Sequence, residues 1–214
     1  MTYTAQDISQ IARRICRDQR GAGKLLQIYR PFICPFEEIL PHMPSDADVL
    51  DVGCGGGLFL GLAAEAGSLK TGLGFDSNKA VIDLARNLKI ETGSVAFEHL
   101  DVEAPWPDGP FDVVTMIDVM HHIPPGAQAG IFPLVAARLK PGGLFIYKDI
   151  NASDRLRASA NRLHDLVLAQ DWVQYLPTER TVELAAKAGL QQEHYAKINR
   201  LWYGHDLHVF RMPA

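Results

Sequence analysis

The run Val49-Leu50-Asp51-Val52-Gly53-Cys54-Gly55-Gly56-Gly57 joins an apolar, strand-like stretch to a glycine loop with an acid just ahead of it. Glycines at the end of a strand let the backbone turn tightly and approach a ligand, and the start of a following helix offers free N–H groups. Asp76 closes a second strand-like stretch about 20 residues on, where a carboxylate can accept hydrogen bonds from ribose hydroxyls. Asp101 follows a third stretch, where a carboxylate can meet an adenine amino group. The dinucleotide fingerprint GxGxxG fails, because the sixth position counted from Gly53 is Leu58. Asp51 would repel a pyrophosphate and attract a cation. The pattern favours a nucleoside with a positive charge over one with phosphates.

The elements that must position these acids follow from hydrophobic periodicity. Ile8, Ile11, Ala12 and Ile15 predict an amphipathic helix over 5–20, with Arg13, Arg14 and Arg17 elsewhere on it. Pro31, Pro35, Pro41 and Pro44 then break the chain. Strands are predicted over Asp48–Val52, Thr71–Phe75, Val95–Leu100, Phe111–Ile117 and Leu144–Ile150, the last after a Pro141-Gly142-Gly143 turn. Helices are predicted over Leu58–Ala66, Asn78–Leu88 with Ser77 as cap, and from Pro124-Pro125 to about Leu139. Further helices are expected over about Ala158–Leu168 and Thr178–Ala188, the latter with Thr178 as N-cap and Gly189 as C-cap. Strands near 190–198 and 204–212 end the chain as an antiparallel hairpin. Repeated strand–helix units make a doubly wound, Rossmann-like α/β sheet, mostly parallel, with helices on both faces.

Composition narrows the function. The 214 residues, 47% hydrophobic and 21% charged, suit one domain with a sizeable core. A formal charge of −4 argues against an electrostatic nucleic-acid binder. No apolar run is long enough for a membrane span, and no secretory segment opens the chain. Cys16, Cys34 and Cys54 form no CxxC pair and fit no disulfide framework or spacing-defined zinc site, which favours a cytoplasmic setting.

The series DVGCGGG, GLGFD (Gly72 to Asp76), LDVEAPWP (Leu100 to Pro107), FDVVTMIDVMHHIP (Phe111 to Pro124) and LKPGGLFIYKDI (Leu139 to Ile150) resembles the class I S-adenosylmethionine-dependent methyltransferases. The resemblance covers roughly residues 46–150 and implies a seven-stranded sheet with S-adenosylmethionine as cofactor and S-adenosylhomocysteine as product. It implies that Gly53, Cys54, Gly55 and Gly57 pass under the methionine part with Asp51 close by. Asp76, flanked by Ser77, matches the ribose-binding acid. Asp101 matches the residue that recognises the adenine amino group, with Val102 supplying a backbone N–H. Ile117 and Asp118 match positions facing the methionine amino group, and His122 a position near the reacting end. Residues 1–45 are expected to form a helical cap, 46–150 the cofactor-binding core, 151–188 a helical insertion and 189–214 the hairpin.

The acceptor is less legible. An adenine or amide methyltransferase would carry a D/N-PP-Y/F motif where this chain reads Ile117-Asp118-Val119-Met120. Asp118, Asp149 and Asn151 echo a metal-dependent O-methyltransferase, but Ile150 interrupts the pair, and a metal-independent enzyme is expected. Methyl transfer to a hydroxyl of a small aromatic, polyketide-like or lipid-like metabolite is the leading expectation. An RNA or protein methyltransferase and a non-catalytic cofactor-binding protein are the alternatives. Candidate catalytic residues are His121, His122, Lys148, Asp149, His164 and His205, with the histidines suited to take a hydroxyl proton near neutrality. Asp165, Trp172, Tyr175, Trp202 and Tyr203 are candidate walls of the acceptor crevice. In calorimetry the chain should bind S-adenosylmethionine and S-adenosylhomocysteine saturably and give no heat with NAD.

Overall fold

Apolar runs punctuated by glycine build a largely parallel sheet. The computed structural model describes residues 3–151, 175–201 and 203–214. The strands are β1 (Ala47–Val52), β2 (Leu69–Asp76), β3 (Ser94–His99), β4 (Phe111–Ile117), β5 (Leu139–Ile150), β6 (Gln191–Arg200) and β7 (Tyr203–Arg211). They form one seven-stranded sheet in the order β3-β2-β1-β4-β5-β7-β6. β1–β2 and β2–β3 pair in parallel, while β7 runs antiparallel between β5 and β6. The helices that accompany the strands are α1 (Ala5–Ile15), α2 (Gly21–Tyr29), α3 (Phe36–Ile39), α4 (Leu58–Glu65), α5 (Lys79–Ala85), α6 (Pro125–Ala136) and α7 (Thr178–Lys187). This is the Rossmann-like arrangement expected, with its antiparallel C-terminal strands. The expected helix over Ala158–Leu168 lies outside the described residues.

Two compact units divide the chain: one reaches Pro107 and takes in Phe111–Thr115, and the other takes in Asp108–Pro110 and continues from Met116. In the first, Thr4 and Asp7 form a capping box at the start of α1, and Ile8, Ala12 and Ile15 are fully buried. The helix expected over 5–20 ends at Ile15, and a second helix that was not expected, α2, follows from Gly21. The chain leaves the first at Cys16 and re-enters at α2, where the Ser9 hydroxyl donates to the Ile28 carbonyl at 2.8 Å. α4 is apolar all round and almost wholly buried, as a helix covered on every side must be. The cap of α5 is Asn78 and not Ser77: the Asn78 side-chain oxygen accepts from the Ala80 N–H at 2.9 Å.

In the second unit, β5 begins five residues earlier than expected and runs through Pro141-Gly142-Gly143. The Gly142 N–H donates to the Met212 carbonyl at 2.9 Å and the Met212 N–H to the Gly143 carbonyl at 2.8 Å, so the ladder continues where a turn was expected. Leu139 thereby belongs to the strand, and α6 stops at Ala136. Phe132, Phe145, Tyr147 and Phe210 are buried aromatics: Phe145 packs edge-on to Phe132 and stacks on Phe210, and Tyr147 is tilted against Phe132. Pro177, not Thr178, caps α7. The Thr178 hydroxyl instead donates to Asp206 at 2.5 Å, and Gly189 stands one residue past the C-cap with φ of 85°.

The corrected cap is testable. Asn78→Ala should lower the unfolding free energy in urea by about 1 kcal/mol, whereas the exposed Ser77→Ala should change it by less than about 0.5 kcal/mol.

Candidate active site

The glycine loop is shaped by the strand that feeds it. At the end of β1, Gly53, Gly55 and Gly57 take φ of 68°, 52° and 76°, a region closed to most side chains. Gly57 is the N-cap of α4, and a Cβ there would stand 2.5 Å from the Phe97 ring. A Cβ on Gly55 would meet nothing within 4 Å, so the loop is open on that side, as a cradle under a ligand must be. Beneath the loop, Gln27 of α2 donates from Nε2 to the Gly56 carbonyl at 2.7 Å. The buried Cys54 thiol is pushed far up by burial, then by the charges of Asp51 and Asp76, so it stays an inert thiol.

Asp76 ties the loop to the neighbouring strand. Its carboxylate accepts from the Gly55 N–H at 2.9 Å and from the Asn78 N–H at 2.8 Å. The Ser77 carbonyl meets His99 Nε2 at 2.9 Å. Asp101 is exposed and accepts from the Glu103 N–H at 2.9 Å, while the Val102 carbonyl takes the Trp106 indole N–H at 2.8 Å. Trp106 packs edge-on to Phe75, with 5.5 Å between ring centroids.

Asp51 is the unusual group of this unit. It is buried, and Thr115 donates to its Oδ1 at 2.6 Å. Burial lifts its pKa to about 7; the Thr115 hydrogen bond and the charge of Arg30 oppose the lift, and Asp76 adds to it. A carboxyl that ionises near neutrality beside a glycine cradle suits a cationic ligand. The donor and acceptor set of this unit therefore fits S-adenosylmethionine. Thr115, Gln27 and Arg30 escaped the sequence reading because their roles depend on strand and helix neighbours far away in the chain.

The second unit holds two close contacts between an acid and a base. Lys148 is fully buried, and its ammonium meets Asp118 Oδ1 at 2.6 Å. Asp118 sits at φ of 58°, its N–H donating to the Lys148 carbonyl at 2.8 Å. Asp149 accepts from His121 Nδ1 at 2.5 Å, from the His121 N–H at 3.2 Å, from the Ile150 N–H at 2.7 Å and from Tyr147 Oη at 3.4 Å. Every one of these contacts uses the carboxylate as acceptor, so His121 Nδ1 carries its proton toward Asp149 and Nε2 is left as the basic nitrogen. His122 is exposed and its ring lies 4.2 Å from that of His121, while Tyr175 lies 5.3 Å away on the same histidine.

The candidates Lys148 and Asp149 lie within β5, opposite Leu207 and Asp206 of β7, and strand alternation sends them to opposite faces of the sheet, so they do not share one crevice wall. His205 pairs with Ile150 and so takes the face of Lys148, not that of Asp149. Ile117 is buried at the end of β4. Asn151 donates to Asp206 at 2.6 Å, and among the described residues no group of three metal-ligating side chains gathers. His164, Asp165, Trp172 and Trp202 lie outside the described residues. Tyr147 is a missed neighbour of the acid; burial first, and then Asp149, raises its pKa well above the ordinary value. His208, also missed, is buried with its ring 4.8 Å from Tyr195 and 5.5 Å from Phe210, and burial lowers its pKa to about 4.

Residues 27–195 match a family described as "Methyltransferase domain". A protein of Thiobacillus denitrificans named ubiquinone biosynthesis O-methyltransferase is 30% identical over 175 residues, covering 78% of this chain and 72% of that one. The matches to proteins of the same name from Albidiferax ferrireducens and Stutzerimonas stutzeri cover 42% and 48% of those relatives, so the chain spans about half their length. Among solved structures, a chain of the complex between the Haloferax volcanii Trm112 methyltransferase activator and a methyltransferase superposes with a TM-score of 0.74. It is 18% identical, with 98% of this chain and 99% of that one covered. The magnesium protoporphyrin IX methyltransferase of Synechocystis with bound S-adenosylhomocysteine gives a TM-score of 0.67 at 15% identity, with coverage of 94% and 92%.

Because Asp51 keeps its proton in the folded state to about pH 7 but loses it near 3.8 when exposed, its contribution to stability is full below about pH 4. That contribution is lost as pH rises to about 7. Urea unfolding across this window should show wild type losing stability relative to Asp51→Asn as pH rises, because the variant lacks the titrating carboxyl.

Proposed function

This chain belongs to the methyltransferase-domain family, within the class I S-adenosylmethionine-dependent methyltransferases, and from that membership we propose that it methylates a hydroxyl of a small molecule. The acceptor we propose is an aromatic, polyketide-like or lipid-like metabolite, with residues 1–214 acting as one methyltransferase domain. The observation that carries the proposal is the His121–Asp149 pair. A buried carboxylate that fixes one imidazole nitrogen leaves the other as a base of the kind a hydroxyl acceptor needs. The names of the relatives given above, ubiquinone biosynthesis O-methyltransferases, support the same reading.

When bound, S-adenosylmethionine supplies an electrophilic methyl group on a sulfonium. In this reading the Gly53–Gly57 loop lies under the methionine portion, Asp76 and Ser77 face the ribose, and Asp101 and Val102 face the adenine. Asp51, with Ile117 and Asp118, faces the cationic end. His121 Nε2 takes the acceptor's hydroxyl proton while Asp149 holds the ring and stabilises the imidazolium. Lys148 neutralises Asp118, so that this acid sits in the protein interior without a bare charge. His122, whose ring lies beside that of His121, is proposed to line the acceptor and not to carry the proton; His205, on the other face of β5 from Asp149, is not proposed as the base. Positioning of acceptor oxygen and methyl carbon in line supplies much of the remaining rate, on the order of 7–11 kcal/mol in well-oriented systems.

Turnover against a panel of phenols, quinols, hydroxy-acyl chains and amines tests the acceptor class; methylation of amines alone would refute it. On the accepted hydroxyl, His121→Ala and Asp149→Asn should each lower kcat by about 10²–10⁴-fold. Both should leave S-adenosylmethionine affinity near wild type, and the acidic limb of the pH–rate profile, where a general base becomes protonated, should vanish in His121→Ala.

A further inference from the structure

The two faces of α2 have different tasks. Its inner face buries Gln27 and Ile28, and Gln27 holds the Gly56 carbonyl of the glycine loop. Its outer face is apolar and open to water. Leu25 and Leu26 are 58% and 70% exposed, and Tyr29 and Ile33 continue the patch. Of the six large apolar side chains exposed among the described residues, these four fall on one short stretch. Scattered exposed apolar groups need no explanation, but a cluster does.

Charge surrounds the patch. Residues 1–34 carry Arg13, Arg14, Arg17, Arg20, Lys24 and Arg30 against Asp7 and Asp18, a local excess of +4 in a chain of −4. The rest of the chain is therefore at −8. Arg14 and Arg17 are paired with Glu65 and Glu91, Asp18 with Lys89, and the charge of Arg30 acts on Asp51. Arg13 lies over the Tyr29 ring at 5.6 Å, Arg20 stands at the N-cap of α2, and Lys24 follows on its first turn, where its ammonium donates to the Arg17 carbonyl at 2.9 Å and keeps its charge. Asp7 is engaged in the Thr4 cap.

We propose that the outer face of α2, with Leu25, Leu26, Tyr29 and Ile33 ringed by Arg13, Arg20 and Lys24, docks on an anionic lipid surface. Exposed leucines and an aromatic flanked by Arg and Lys are what a helix lying in a bilayer interface presents. A nucleic acid is disfavoured, because the patch offers aliphatic side chains and one aromatic ring already covered by Arg13. A second copy of the chain is disfavoured because four side chains fall well short of the roughly 800 Å² per partner of a stable dimer. The proposal holds whichever hydroxyl is methylated. It places the cofactor loop directly behind the docked helix, through Gln27.

Co-sedimentation with phosphatidylcholine vesicles, with and without one third phosphatidylglycerol, tests it. The wild-type chain should bind the anionic vesicles, bind the neutral ones far less, and release as salt is raised. Leu25→Asp combined with Leu26→Asp should weaken binding at least tenfold while retaining S-adenosylmethionine binding in calorimetry. Arg20→Glu with Lys24→Glu should weaken it by roughly fivefold or more per cation. Wild type that ignores anionic vesicles, or a leucine variant that binds them undiminished, overturns the proposal. So does a wild-type dimer that the leucine variant dissolves in analytical ultracentrifugation, since a second copy would then occupy the face.

Discussion

A carboxyl group buried at the carboxyl end of β1 is the constraint around which the first unit is arranged. Burying a carboxyl is tolerable only with a hydrogen-bonding partner and with its charge suppressed or matched. Thr115 supplies the first, and a pKa near neutrality the second. The chain must then turn away from this group at once, and only glycines accept the left-handed backbone that does so. Asp76 fixes the far side of that turn through the Gly55 N–H, so two adjacent parallel strands jointly hold one loop. Gln27 closes the arrangement from below and makes α2 part of the loop's support.

The second unit solves the same problem with opposite charges. Lys148 and Asp149 are neighbours in sequence, yet the pleat of β5 assigns them to different faces and different partners. One pair compensates a buried charge. The other orients an imidazole. Asp206 on the adjacent strand gathers Asn151, Thr178 and Tyr195, joining β5, α7 and β6 at one buried acid. Asp149 and Asp206 are each held by several donors at once, which fixes their geometry as well as their energy.

Much of this was legible in the residues. The succession of strands and helices along the chain, the glycine loop and the acids at strand ends follow from period and punctuation, and β4 was bounded correctly because its apolar run has sharp edges. α2 was not legible: Gly21-Ala22-Gly23 is a poor helix start, and the helix exists through tertiary contacts such as the bond between Ser9 and Ile28. The Pro-Gly-Gly in β5 read as a turn because its partners, residues at the far C-terminal end, are invisible to local pattern. His121 and Asp149 were both candidates, but their union spans 28 residues and depends on which face β5 turns to each side chain. The choice of Asn78 over Ser77 as cap is a single-residue difference between two good capping types, which local preference alone does not resolve.

His208 has a consequence of a different kind. Its neutral ring lies in an aromatic stack with a folded-state pKa near 4, whereas in the unfolded chain it would titrate near 6.5. Asp51 is displaced the other way. At mildly acid pH the unfolded chain therefore carries a carboxylate at one position and an imidazolium at the other, and the folded chain carries neither. Folding there extinguishes one charge of each sign while the net proton count at these two positions stays constant. Acidification relieves the strain of one burial as it aggravates the other, so the two opposed slopes offset each other and hold the native state's stability nearly level between about pH 4 and 6.5.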